Sequence, residues 1–137
     1  MSTRCTIGIK RQDGTFADIY CHYDGYLSGV GKELFENWNT AEKVELLIEG
    51  GTMSSLGSTI EACKFHHASF GEKREDTLAD TYASYKEYRN SDWFQSDSWI
   101  EFIYLFKDGK WWWFSTCGEK FKPLTEKVIL KEEEEHD

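Results

Sequence analysis

His22 and Asp24 stand two residues apart at the end of an alternating stretch, Ile19-Tyr20-Cys21-His22-Tyr23-Asp24. On an extended backbone, residues two apart point to the same side, so this spacing lets an imidazole meet a carboxylate as an oriented acid–base pair. Asp24-Gly25 is equally an ordinary turn, and no serine or cysteine elbow accompanies the pair, since Cys21 falls on the opposite face of the strand. The chain then passes Gly25, Tyr26, Gly29 and Gly31 to reach Lys32 at the start of a helical pattern. That is the setting of a phosphate-binding loop, in which backbone N–H groups and a lysine cradle an anion. The pattern fails as a nucleoside-triphosphate loop. Gly25 and Gly31 enclose one residue too many, and Glu33 replaces the hydroxyl residue that would hold magnesium. A looser anion or nucleotide contact through Lys32, with aromatic stacking, is what the spacing leaves.

Metal chemistry has less support. Cys63, His66 and His67 are the only metal-like spacing, with Cys21 and His22 the nearest residues to complete a set. Zinc sites show two short paired spacings, so neither metal nor cofactor is expected. Without a CxxC pair, Cys5, Cys21, Cys63 and Cys117 read as reduced thiols. The aromatic residues are more telling, because fourteen of the 22 lie between Tyr82 and Phe121. A pleated strand cannot bury Trp111, Trp112 and Trp113 on one face. At least one must cover a helix, a ligand or a partner. Trp111 and Trp113 therefore join His22, Asp24, Tyr26 and Lys32 as candidate partner- or ligand-binding residues.

The 137 residues suit one domain, and 25 acids against 16 bases give a net charge of −9. Direct DNA binding is not expected of such a chain, because it would have to neutralise phosphates with basic side chains. The last six residues carry five acids, which takes the charge from −9 for the whole to −4 for the body. Residues 1–131 are expected to form the globular domain and residues 132–137 a solvated acidic tail. No apolar run approaches the roughly 20 residues of a membrane span, and the N-terminus lacks the apolar core of a signal peptide. The expected compartment is the cytoplasm.

The elements that must position these residues are legible from periodicity. Alternating segments over 4–23 turn on Asp13-Gly14, and a second pair over 98–116 turns on Asp108-Gly109; Asp-Gly between such segments signals a hairpin. The second hairpin is apolar on both faces, as a central strand would be. Helical stripes predict helices near 30–38, 40–49 and 80–90, with Asn39 and Glu42 spaced as a capping box. A further helix is expected through Leu124, Val128 and Ile129, with Pro123 near its start. Residues 52–75 resist assignment. The fold class is α+β: one antiparallel sheet built from two Asp-Gly hairpins and packed against two to four short helices.

The string Ile19-Tyr20-Cys21-His22-Tyr23-Asp24-Gly25-Tyr26, followed by Gly29-Val30-Gly31-Lys32-Glu33-Leu34 and later by Tyr104 to Trp111, resembles small bacteriophage and mobile-element accessory proteins of unassigned function. That resemblance implies a product acting in the cytoplasm of an infected bacterial host. It implies a non-enzymatic inhibitor of the anti-CRISPR or anti-restriction kind, which blocks a basic or nucleic-acid-binding surface of a host defence protein or nuclease complex. Two other readings stay open: a nucleotide-sequestering protein using the loop from His22 to Lys32, and a small hydrolase using His22 and Asp24. The oligomeric state is left open, a homodimer included.

Overall fold

The computed structural model describes residues 3–116 and 118–136, so Cys117 and its expected thiol lie outside the described residues. Strands β1 (Arg4–Lys10) and β2 (Phe16–Cys21) pair antiparallel around Asp13-Gly14, with Cys5 opposite Cys21 and Ile9 opposite Ala17. Helices α1 (Lys32–Asn37) and α2 (Ala41–Gly50) follow, α1 being preceded by a π turn over Leu27–Gly31. The middle of the chain supplies β3 (Met53–Ser55), β4 (Lys64–Phe65), α3 (His66–Ser69), β5 (Asp80–Tyr82) and α4 (Tyr85–Arg89). Strands β6 (Ile100–Lys107) and β7 (Lys110–Ser115), then β8 (Lys122–Pro123) and α5 (Glu126–His136), complete the order.

These strands form one sheet in the order β4-β3-β2-β1-β6-β7-β8, with β5 pairing β2 alongside β3. The sheet is mixed, which corrects the antiparallel expectation: β1 runs parallel to β6, and β2 parallel to β3. A parallel neighbour needs a long crossover, and the segment between β2 and β6 provides it with its helices and short strands. No hairpin signal encodes that pairing.

Alternation decides what each face buries. Cys5, Ile7, Ile9, Ala17, Ile19 and Cys21 enter one core with Leu34, Val44, Leu47 and Ile129 from the helices. Phe16, Tyr88, Ile100, Ile103, Leu105 and Phe114 form a second core on the other face, closed by Trp93, Phe94 and Phe121. Each fully buried aliphatic or aromatic chain here contributes about 1.5–3 kcal/mol. Covered on both faces and flanked by β1 and β7, β6 is the apolar centre of the sheet.

Several local expectations shift. Thr40, not Asn39, caps α2, its hydroxyl accepting from the Lys43 N–H at 3.3 Å. The adjacent residues are both good caps, and the helix begins one position later. Residues 80–82, expected in a helix, pair with β2 instead, and α4 begins after Ser84, whose side chain accepts from the Glu87 N–H. Pro123 lies in β8 rather than in a helix, and Thr125 caps α5 by accepting from the Val128 N–H at 3.2 Å. A register shift where β1 meets β6 sends Ile100 to the same core as Ile103 and leaves Trp99 77% exposed.

The acidic segment gives the largest correction. Residues 132–136 continue α5 rather than forming a solvated tail. Val128 and Ile129 pack against the core, and one helical turn later Glu132 and Glu133 fall on that same side. They find donors there.

Candidate binding site: an acidic cleft lined with tyrosines

The loop leaving β2 carries three of the predicted residues, with Lys32 opening α1 just after it, and is built by close backbone approach. Gly25 lies against Cys5 and the Thr3 carbonyl so tightly that a Cβ would come within 2.8 Å of each. A Cβ on Gly29 would overlap the Asp24 carbonyl, which accepts the Val30 N–H at 2.7 Å. Tyr104, fully buried in β6, donates to the Gly25 carbonyl at 2.7 Å. Core and loop are thus tied together.

This loop, α1 and Leu56 enclose a cleft of about 320 Å³. Its walls are lined by Tyr23, Tyr26, Asp24, Glu33 and Glu36, and Glu33 also accepts from the Asn37 side-chain amide at 2.7 Å. Tyr23 is 48% exposed. The Tyr26 hydroxyl donates to Asp24 at 3.3 Å, and burial with the neighbouring carboxylate pushes its phenol up, so it remains a neutral donor. Lys32 also lines the cleft, but its ammonium donates to Glu133 at 3.0 Å. That carboxylate raises the lysine's pKa and holds it charged.

The anion position of the loop is occupied from within. Glu132 accepts the backbone N–H groups of Leu27 at 3.0 Å and Ser28 at 2.6 Å, and the Ser28 hydroxyl at 2.8 Å. A carboxylate on two backbone donors is a charge-assisted arrangement of the kind a phosphate would otherwise make. The glycine-rich loop is an anion cradle whose anion is the chain's own.

Compared with known proteins, the chain matches no family model, no curated protein and no solved structure. Asp24, Tyr26 and Lys32 meet in the cleft, as does Tyr23 between the first two predicted residues. His22 lies on the Tyr20 side, its Nδ1 2.6 Å from the Tyr20 hydroxyl. Asp24 takes φ +61°, which breaks the extended spacing that an acid–base pair with His22 requires. Trp111 is 3% exposed and donates its indole N–H to the Trp38 carbonyl at 2.7 Å, so it serves the core. Trp113 is half-buried against Phe102, with Lys122 over its ring. Trp112 faces the other way, its ring beneath Lys107 and Lys110.

Among the described residues, no group of three or more His, Cys, Asp or Glu side chains is arranged to hold a metal ion. Cys63 accepts from the Gly57 N–H and donates to the Thr59 carbonyl, while His66 pairs with Glu72 at 2.8 Å. Sequence reasoning missed Glu33, Glu36, Glu132 and Glu133. The signal for the last two was present: they lie four residues after Val128 and Ile129, on the apolar stripe of the helix.

Proposed function

We propose that this protein is a non-enzymatic binding domain that seats a basic segment of a protein partner in the acidic, tyrosine-lined cleft. One observation carries the reading: Asp24, Glu33 and Glu36 line one cleft with Tyr23 and Tyr26, while the cleft's lysine is already paired with Glu133. A guanidinium or ammonium entering there gains carboxylate partners and an aromatic face. The net charge of −9 steers such a partner in from a distance.

The phage-protein resemblance gives that partner its class. It is a host defence protein or nuclease complex whose nucleic-acid-binding surface supplies the basic groups, and occluding that surface is the inhibitory act. Anti-CRISPR and anti-restriction activity both fit this chemistry. Phosphate binding in the same loop is disfavoured, because Glu132 already takes the Leu27 and Ser28 donors and three more carboxylates line the approach. Nor does the site favour hydrolysis, with His22 engaged by Tyr20 and Asp24 turned out of register.

Calorimetric titration with an arginine- and lysine-rich peptide tests the proposal. Binding should weaken steadily as salt rises. The combined Asp24→Asn, Glu33→Gln and Glu36→Gln variant should lose at least about threefold in affinity, given a few tenths of a kcal/mol per exposed pair. Salt-independent binding, or a variant that binds as the parent does, would sink it.

A further inference from the structure

On the face of the sheet that carries Tyr20, a second recess of about 560 Å³ shares no lining residue with the acidic cleft. Its walls are Arg4, Tyr20, Trp93, Ser98 and Trp99. Three aromatic rings and one guanidinium make it the opposite of the cleft in both polarity and charge.

Contacts within the chain hold the walls of the recess. Tyr20 and Trp93 stack at 5.8 Å and 13°, and the Tyr20 hydroxyl is fixed by His22. Ser98 donates to the Trp93 carbonyl at 3.0 Å and accepts from the Ile100 N–H at 3.2 Å, so one side chain clamps the turn from 93 to 100. On that clamped turn stands Trp99, 77% exposed and at φ +67°. A bulky residue in the left-handed region is a true outlier, and such strain gathers at ligand clamps and binding sites. Leaving an indole in water at a strained position costs stability. A glycine would remove both costs and lose the ring.

Arg4 supplies the charge. Among the described residues the ion pairs are those of Arg11, Lys32 and His66, so Arg4 lies beside Tyr20 with no carboxylate taking its charge. Its guanidinium stands beside the Tyr20 hydroxyl on the recess wall.

We infer that this recess binds a nucleobase bearing a phosphate, the base stacked on Trp99 and Trp93 and the phosphate paired with Arg4. Flat heterocycles stack on indole regardless of base identity, and guanidinium matches phosphate bidentately. A free nucleotide and a single-stranded nucleic acid both present this chemistry. The net charge of −9 repels a polyanion and favours the mononucleotide.

Calorimetry on the full chain separates these cases, using adenosine 5′-monophosphate, adenosine, inorganic phosphate and a single-stranded adenine hexanucleotide as probes. The monophosphate should bind saturably and adenosine more weakly. Inorganic phosphate alone should give no saturable heat. Trp99→Gly should lower the affinity for both nucleoside probes about fivefold or more, since stacking contributes about 1–3 kcal/mol per base. Its Tm should not fall, because it relieves the left-handed strain. Arg4→Gln should weaken the monophosphate while leaving adenosine unchanged. Tighter binding of the hexanucleotide than of the monophosphate would assign the site to nucleic acid, and weaker binding to the free nucleotide. Absence of saturable monophosphate binding, or affinity unchanged in Trp99→Gly, overturns the inference. Neither result bears on the acidic cleft, which has its own peptide test.

Discussion

Asp18 shows how far one residue's surroundings can move its chemistry. It sits on β2, 1% exposed, with Gly8 opposite on β1, Asp80 and Tyr82 on β5, Tyr88 on α4 and Trp93 on the following turn. Burial first, and the Asp80 carboxylate next, push its pKa up to about 8, against the donors Tyr82 and Trp93. The folded chain therefore keeps a proton that the unfolded chain, with an ordinary carboxyl, has already released. Between about pH 4 and pH 8 the folded state binds more protons, so this group makes stability fall as pH rises. The slope for one proton is at most about 1.4 kcal/mol per pH unit. Urea unfolding from pH 5 to 8.5 should show a steeper decline for the parent than for Asp18→Asn. Parallel curves would mean that Asp18 is ionised in the folded state.

At the scale of elements, α5 and the glycine-rich loop form one unit. Glu132 satisfies two backbone donors of the π turn, and a half-buried donor left without its carboxylate costs about 1.5–3 kcal/mol. Glu132→Ala, or truncation after Lys131, should therefore lower the unfolding free energy by about that amount, read from the urea midpoint. A merely solvated tail would leave the midpoint where it was. Signals of local origin are the ones that sequence carries to the structure. Alternation about Asp13-Gly14 and Asp108-Gly109 is visible in the strands on either side of each turn, and the stripe of Val44, Leu47 and Ile48 lies on the buried side of α2. What was not legible depends on distant partners. The β1–β6 pairing joins residues almost a hundred positions apart, β5 exists because β2 offers it an edge, and residues 132–136 continue a helix whose Glu132 meets the loop's donors. The candidate site was partly legible for the same reason. Its residues Asp24, Tyr26 and Lys32 fall within one short stretch of sequence, whereas the meaning of Lys32 changes once Glu133 arrives from the far end of the chain.

For the whole molecule, charge is distributed with a purpose that composition alone hides. Two of the terminal acids are spent inside the fold on the loop and on Lys32, while Asp24, Glu33 and Glu36 remain around the tyrosine-lined cleft. The recess at Arg4 and Trp99 carries the opposite character. One domain thus carries an acidic cleft and a recess holding an arginine, with no helix long and apolar enough among the described residues to cross a membrane. The acidic cleft bears the proposed function. Its most direct test is an amide-resolved NMR titration of the full chain with the arginine- and lysine-rich peptide. The expected result is a set of shifts confined to residues 23–36 and Leu56, saturating with peptide and fading with added salt. Shifts scattered over the acidic surface without saturation, or centred away from Tyr23 and Tyr26, would contradict it.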